Sequence, residues 1–144
     1  MTYLDTSFVF SLYFHDVNTA SALALAARKT LPFLVTPICE LEAVNSFAQR
    51  VFRKEMSETN MTNAVRDLQA DIRSGVLDWR PLPDAALLRA KTLSQTVTPS
   101  IGVRAADILH VAAALELGAV RLFSFDLRQR EAAKAVGLKM NPLP

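Results

Sequence analysis

The chain has 144 residues, 51% of them hydrophobic and 21% charged, with a formal net charge of +2. That balance excludes a disordered or fibrous chain and fits one domain over residues 1–144, with the charge only a faint hint of polyanionic partners. A single cysteine, Cys39, excludes an internal disulfide or a multi-cysteine zinc site and reads as a buried, inert thiol.

Thr2 to Leu4 reads as a short strand that stops at Asp5-Thr6-Ser7. No basic stretch and apolar run of the secretory type precedes it, so a cytoplasmic protein is expected. Phe8 to Phe14 and Asn18 to Arg28 follow as helices. Asp5 by itself reads as a helix cap, since a short side-chain oxygen satisfies the first free amides. Phe33 to Thr36 is the next strand, and Pro37 suits the first turn of a helix from Ile38 to Arg53. Its expected apolar stripe is Ile38, Leu41, Val44, Ala48, Val51 and Phe52. Glu42 and Asn45 share a face that borders this stripe, and Glu40 lies one step off it towards solvent. The basic cluster Arg50, Arg53 and Lys54 reads as a solvated helix face.

Residues 59–74 fit a fourth helix closed by Gly75. Val76 to Leu82 alternates as a half-buried edge strand with the sole tryptophan, Trp79. Asp84 is expected to cap a helix over Ala85–Thr96, and residues 98–102 read as a loop. Arg104 to Glu116 is an amphipathic helix carrying Asp107. Gly118 turns the chain into a strand over Val120–Phe125 that ends at Asp126. A helix from Leu127 to Val136, Gly137 and a closing strand over Leu138–Met140 complete the pattern. No segment is uniformly apolar over the ~18 residues of a membrane span, because Asp107, His110 and Glu116 interrupt the best candidate.

Strand and helix alternate, which predicts an α/β fold with a mainly parallel sheet flanked by helices. Asp5 and Asp126 then follow strand carboxyl ends on one edge, and Glu42 and Asp107, expected in first helical turns, can face that edge. Two carboxylates about 5 Å apart repel by roughly 3 kcal/mol at an effective dielectric of about 20. Such a cluster must take up protons or a cation, and the chain supplies further acids there rather than a matching set of cations. All-oxygen ligands suit Mg²⁺ or Mn²⁺, whose bound water and charge favour phosphodiester hydrolysis.

LDTS at 4–7, TPICELEAVNSF at 36–47 and ADILHVAAALELGAVRLFSFD at 106–126 together resemble the PIN-domain ribonucleases. The VapC-type toxins of bacterial toxin–antitoxin pairs are the group most resembled, and RQREAAKAVGL at 128–138 is similar too. The resemblance implies that Asp5 and Asp107 chiefly hold the ion, with Glu42 and Asp126 as further catalytic acids. It implies supporting roles for Ser7, Asn45 and Ser124, the last standing where the family often has Thr. His110 is expected to brace its helix.

The implied activity is a Mg²⁺- or Mn²⁺-dependent endoribonuclease. The implied partners are an RNA substrate, a small antitoxin and a second copy in a homodimer, with Phe47, Val51 and Phe52 as candidate lining of the antitoxin groove. An RNA-maturation nuclease without antitoxin and a non-catalytic RNA-binding module are the alternatives. A haloacid-dehalogenase-like phosphotransferase would need an acid where Ser7 stands. No glycine-framed serine or glycine-rich phosphate loop is present.

Overall fold

The computed structural model describes residues 1–28 and 32–144. Strand β1 (Thr2–Leu4) ends at Asp5, whose carboxylate accepts the Phe8 N–H and so caps helix α1 (Thr6–Tyr13). The chain continues through α2 (Thr19–Ala27), β2 (Phe33–Val35), α3 (Pro37–Phe52), α4 (Glu58–Ser74) and β3 (Leu77–Trp79). It closes with α5 (Asp84–Thr96), α6 (Thr98–Ile101), α7 (Ala105–Glu116), β4 (Arg121–Phe123), α8 (Leu127–Ala135) and β5 (Lys139–Met140).

Several expected boundaries move, each for a local reason. The first helix begins at Thr6 because Asp5 is its cap. Residues 98–101 form one helical turn, with Pro99 in its opening positions and Gly102 ending it at φ 70°. Asp84 is the first residue of α5 rather than its cap, and Pro83 precedes it without a side-chain bond. The strand expected over 120–125 shortens to Arg121–Phe123, because Ser124–Asp126 turn into the cleft described below.

The five strands pair in the order β3-β2-β1-β4-β5, every pair parallel. Side chains alternate across each strand, so the sheet sorts its residues into two cores. Tyr3, Leu34 and Leu122 pack with α5, α7 and α8, whereas Leu4, Phe33, Val35 and Phe123 pack with α1 to α4. Helix α7 is buried at Ile108 and at every position from His110 to Ala114, so its alanines let it lie close on the sheet.

The apolar stripe of α3 differs from the expected one. Cys39, Ala43 and Phe47 face the core, while Leu41 and Phe52 are 69% and 88% exposed. Phe47 stacks on Phe10 at 5.3 Å between ring centroids, which fixes the rotation of the helix. Phe47 is therefore core and is not available to line a groove. Glu40 is half-buried, held by the Trp79 Nε1–H at 2.8 Å, not turned out to solvent. Among the described residues no helix is long and apolar enough to cross a membrane.

Candidate active site

Strand order reverses at β1: the chain leaves it towards β2 and β3, then returns to its other side with β4. A crevice opens outside the carboxyl ends of the strands at such a switch point. Asp5 follows β1 and Asp126 follows β4 across that point, the two strands pairing at Leu4 and Phe123. Asp5, Glu42, Asp107 and Asp126 line one cleft of about 450 Å³. The expectation of one shared edge holds. Glu42 reaches it from the second turn of α3 rather than the first, Glu40 being the acid of the first turn.

Asp5 is 3% exposed. Its Oδ1 accepts the Phe8 N–H at 2.8 Å and the Ser7 hydroxyl at 2.8 Å, and the Ser124 hydroxyl lies 2.7 Å from its Oδ2. The serines are positioned in turn by backbone: Phe125 N–H donates to Ser7 Oγ and Asp126 N–H to Ser124 Oγ. Burial nevertheless pushes the Asp5 carboxyl up to about 6, against the lowering pull of His110 and these hydrogen bonds. The donors do not replace all the water that the anion has lost, so a cation is favoured beside it.

Glu42 is the opposite case. Its Oε2 lies 2.8 Å from His110 Nε2 and accepts the Thr6 hydroxyl at 2.6 Å. His110, then Thr6, hold its carboxyl below the ordinary value, outweighing partial burial. His110 is itself 1% exposed, with Nδ1 2.8 Å from the Tyr3 hydroxyl, which meets Thr36 Oγ1 at 2.8 Å. The expected bracing role of His110 thus acquires an object: the imidazole braces Glu42 as well as its own helix.

Asp126 caps α8 through the Gln129 N–H and keeps its other oxygen towards the cleft. Asp107 stands in the first turn of α7. Arg104, three residues earlier, donates from Nε to Asp107 at 2.9 Å and lies 3.6 Å from Asp126. A cation of the chain's own thus spans two of the acids, a pairing that sequence reasoning missed. Its signal was the spacing, since residues three apart share a helical face.

Along α3 a polar stripe at helical spacing, Glu42, Asn45, Ser46, Gln49, Arg50 and Arg53, lines the same cleft. Arg50 lies over the rings of Phe10 and Phe14 and pairs with Glu55. Arg53 has no carboxylate partner among the described residues and donates only to the Gln49 amide oxygen, at 3.4 Å. The arginines read as a plain solvated face therefore form the basic end of an acidic cleft. Arg130 and Asn141, also missed, buttress the β4–α8 turn from beneath: Arg130 Nη1 donates to the Ser124 carbonyl at 2.7 Å, and Asn141 Oδ1 accepts the Ser124 N–H at 2.9 Å.

The donor set facing the cleft is carboxylate and hydroxyl oxygen, which fits a hard divalent ion. No group of three acids, histidines or cysteines among the described residues closes into a ready-made cage.

The family model of the PIN domain matches residues 2–135. The chain belongs to the PIN domain family. This PIN domain superposes on VapC20 of Mycobacterium tuberculosis, a sarcin–ricin loop cleaving toxin, with a TM-score of 0.75 at 17% identity over 99% of this chain and 100% of that one. FitAcB from Neisseria gonorrhoeae gives 0.69 at 14% identity, covering 99% and 97%. VapBC-1 from nontypeable Haemophilus influenzae gives 0.67 at 17%, covering 98% and 97%. At such identities the likeness is one of fold. No curated protein matches the chain in sequence.

Proposed function

We propose that this PIN domain is a metal-dependent endoribonuclease and the toxin of a type II toxin–antitoxin pair. The observation that carries the reading is the gathering of Asp5, Glu42, Asp107 and Asp126 into one cleft from four separate places in the chain. Asp5 and Asp107 would hold Mg²⁺ or Mn²⁺. The ion, when bound, supplies a more acidic water and neutralises charge on a phosphoryl oxygen. Ser7 and Ser124 orient Asp5 and keep its oxygens aimed. His110 and Thr6 hold Glu42 ionised, ready to accept a proton from water, and Asp126 turns the oxygen that does not cap α8 towards the same space. Asn45 and Gln49 offer neutral hydrogen bonds along the cleft towards Arg53.

A cleft with acids at one end and arginines at the other suits a strand that brings its phosphates to both. Unpaired or looped RNA can enter it, whereas the major groove of duplex RNA is too deep and narrow for side chains to read. VapC20, which shares the fold, is a sarcin–ricin loop cleaving toxin, and the substrate class proposed here is a structured RNA loop. Asp107→Asn, which removes ligand charge without changing shape, should lower cleavage by at least a hundredfold and leave the melting temperature of the ion-free protein within a few degrees. Full cleavage by that variant, or by wild type in excess EDTA, sinks the reading.

The proposal extends to a small antitoxin that seats a basic side chain among the acids and rests apolar residues near Val51 and Phe52, the latter 88% exposed. It extends also to a homodimer, for which exposed Leu87 and Leu88 on α5 offer apolar surface. Expression alone should arrest growth, and co-expression of the neighbouring reading frame should relieve it. Harmless expression of an active nuclease with no small protein copurifying would instead indicate an RNA-maturation enzyme.

A further inference from the structure

We infer that Arg104 is an exchangeable counter-ion, paired with Asp107 and Asp126 before an ion enters and turned to a phosphate of the RNA afterwards. The inference rests on the nuclease reading above and adds a positioning residue to it. Arg104 sits immediately before α7 with its guanidinium across two acids. Its side chain is 73% exposed, so nothing packs it in place. Such a pair is weak enough to be broken by a competing divalent charge.

Once Asp107 is committed to an ion, Arg104 keeps a fixed positive charge at the mouth of the site and loses its partner there. A phosphodiester brought to that ion presents anionic oxygens within the same cleft, and guanidinium is suited to receive two of them. One side chain then opposes the ion and supports the substrate. These effects have opposite signs, which separates exchange from a structural role.

The test uses the full chain, with Mn²⁺ titrated calorimetrically into metal-free protein. Arg104→Gln should tighten ion binding about two- to fivefold, the range for loss of an exposed competing pair. At saturating Mn²⁺ the same variant should raise KM for a single-stranded RNA oligonucleotide about tenfold or more, with a smaller effect on kcat. Arg104→Lys, which keeps charge but not the fork, should fall between on KM. Unchanged or weaker ion binding in Arg104→Gln, with an ion site that Asp107→Asn abolishes, overturns the exchange alone. Wild type with no Asp107-dependent ion site overturns the nuclease reading together with it.

Discussion

Asp5 is both the N-cap of α1 and the most buried acid of the cleft, and its environment disfavours the charge that both roles use. Its carboxyl titrates near 6 in the folded protein against 3.8 as the ordinary value. Between those values the folded state binds more protons than the unfolded one, so this group's contribution falls as pH rises and is fully unfavourable above about 6. A difference of that size corresponds to about 3 kcal/mol. In EDTA, the stability of Asp5→Asn relative to wild type should therefore improve by about that amount between pH 4 and pH 7, read from urea midpoints. Glu42 has the reverse sign, since its lowered value adds stability above the ordinary 4.5 that is lost as pH falls. Comparing the variant with wild type cancels that common contribution. A relative stability that stays flat across the range would mean that the two serines and the Phe8 amide compensate the Asp5 charge fully.

At the scale of the element, α3 explains how one helix can serve the core and the cleft together. Cys39, Ala43 and Phe47 occupy the inner face, and the stripe from Glu42 to Arg53 occupies the cleft face. From its first member to its last that stripe rises by roughly 16 Å, enough for the helix to track more than one phosphate. Each phosphate neutralised on a single strand contributes about 0.7 to the slope of log affinity against log salt. Arg53→Ala should lower that slope by about this amount for single-stranded RNA, measured by anisotropy at several KCl concentrations. Arg50→Ala should also reduce the melting temperature, because its guanidinium lies over Phe10 and Phe14 and its loss uncovers both rings. An unaltered salt slope in Arg53→Ala would remove α3 from the path of the RNA.

The whole molecule places its costliest groups where its two cores meet the end of the sheet. Tyr3 and Leu4, adjacent on β1, belong to opposite cores, and the next residue is Asp5. Helices from both layers, α3 on one side and α7 on the other, then bring acids to the same crevice. An ion bound there stabilises the native state by mass action, by about 2.7 kcal/mol at a hundredfold excess over Kd, or on the order of 8 °C for a chain of this size. Thermal melts in Mg²⁺ and in EDTA should differ accordingly for wild type and by less than a third as much for Asp107→Asn. Equal shifts in the two proteins would place the ion elsewhere.

The sequence by itself determined the order of the elements apart from the short α6, and singled out the four acids that line the cleft, because hydrophobic period and caps are local properties of the chain. Thr2–Leu4 before Asp5, Pro37 opening α3 and Gly75 closing α4 could be placed without any knowledge of neighbours. The motif resemblance went further, because an ordered set of short segments distinguishes a family that composition cannot. Tertiary structure alone decided which face of α3 is buried: the expected stripe leaves Leu41 and Phe52 outside, and the stacking of Phe47 on Phe10 holds Cys39, Ala43 and Phe47 inward. It likewise joined His110 to Glu42 across 68 positions and showed Asp5 and Asp126 to be helix caps and cleft acids at once. Arg104 shows the same division within a single turn, since its spacing from Asp107 was legible but its approach to Asp126 was not. Charge pairing depends on distance through space, and only the closed sheet sets the distance between residues that the chain keeps far apart.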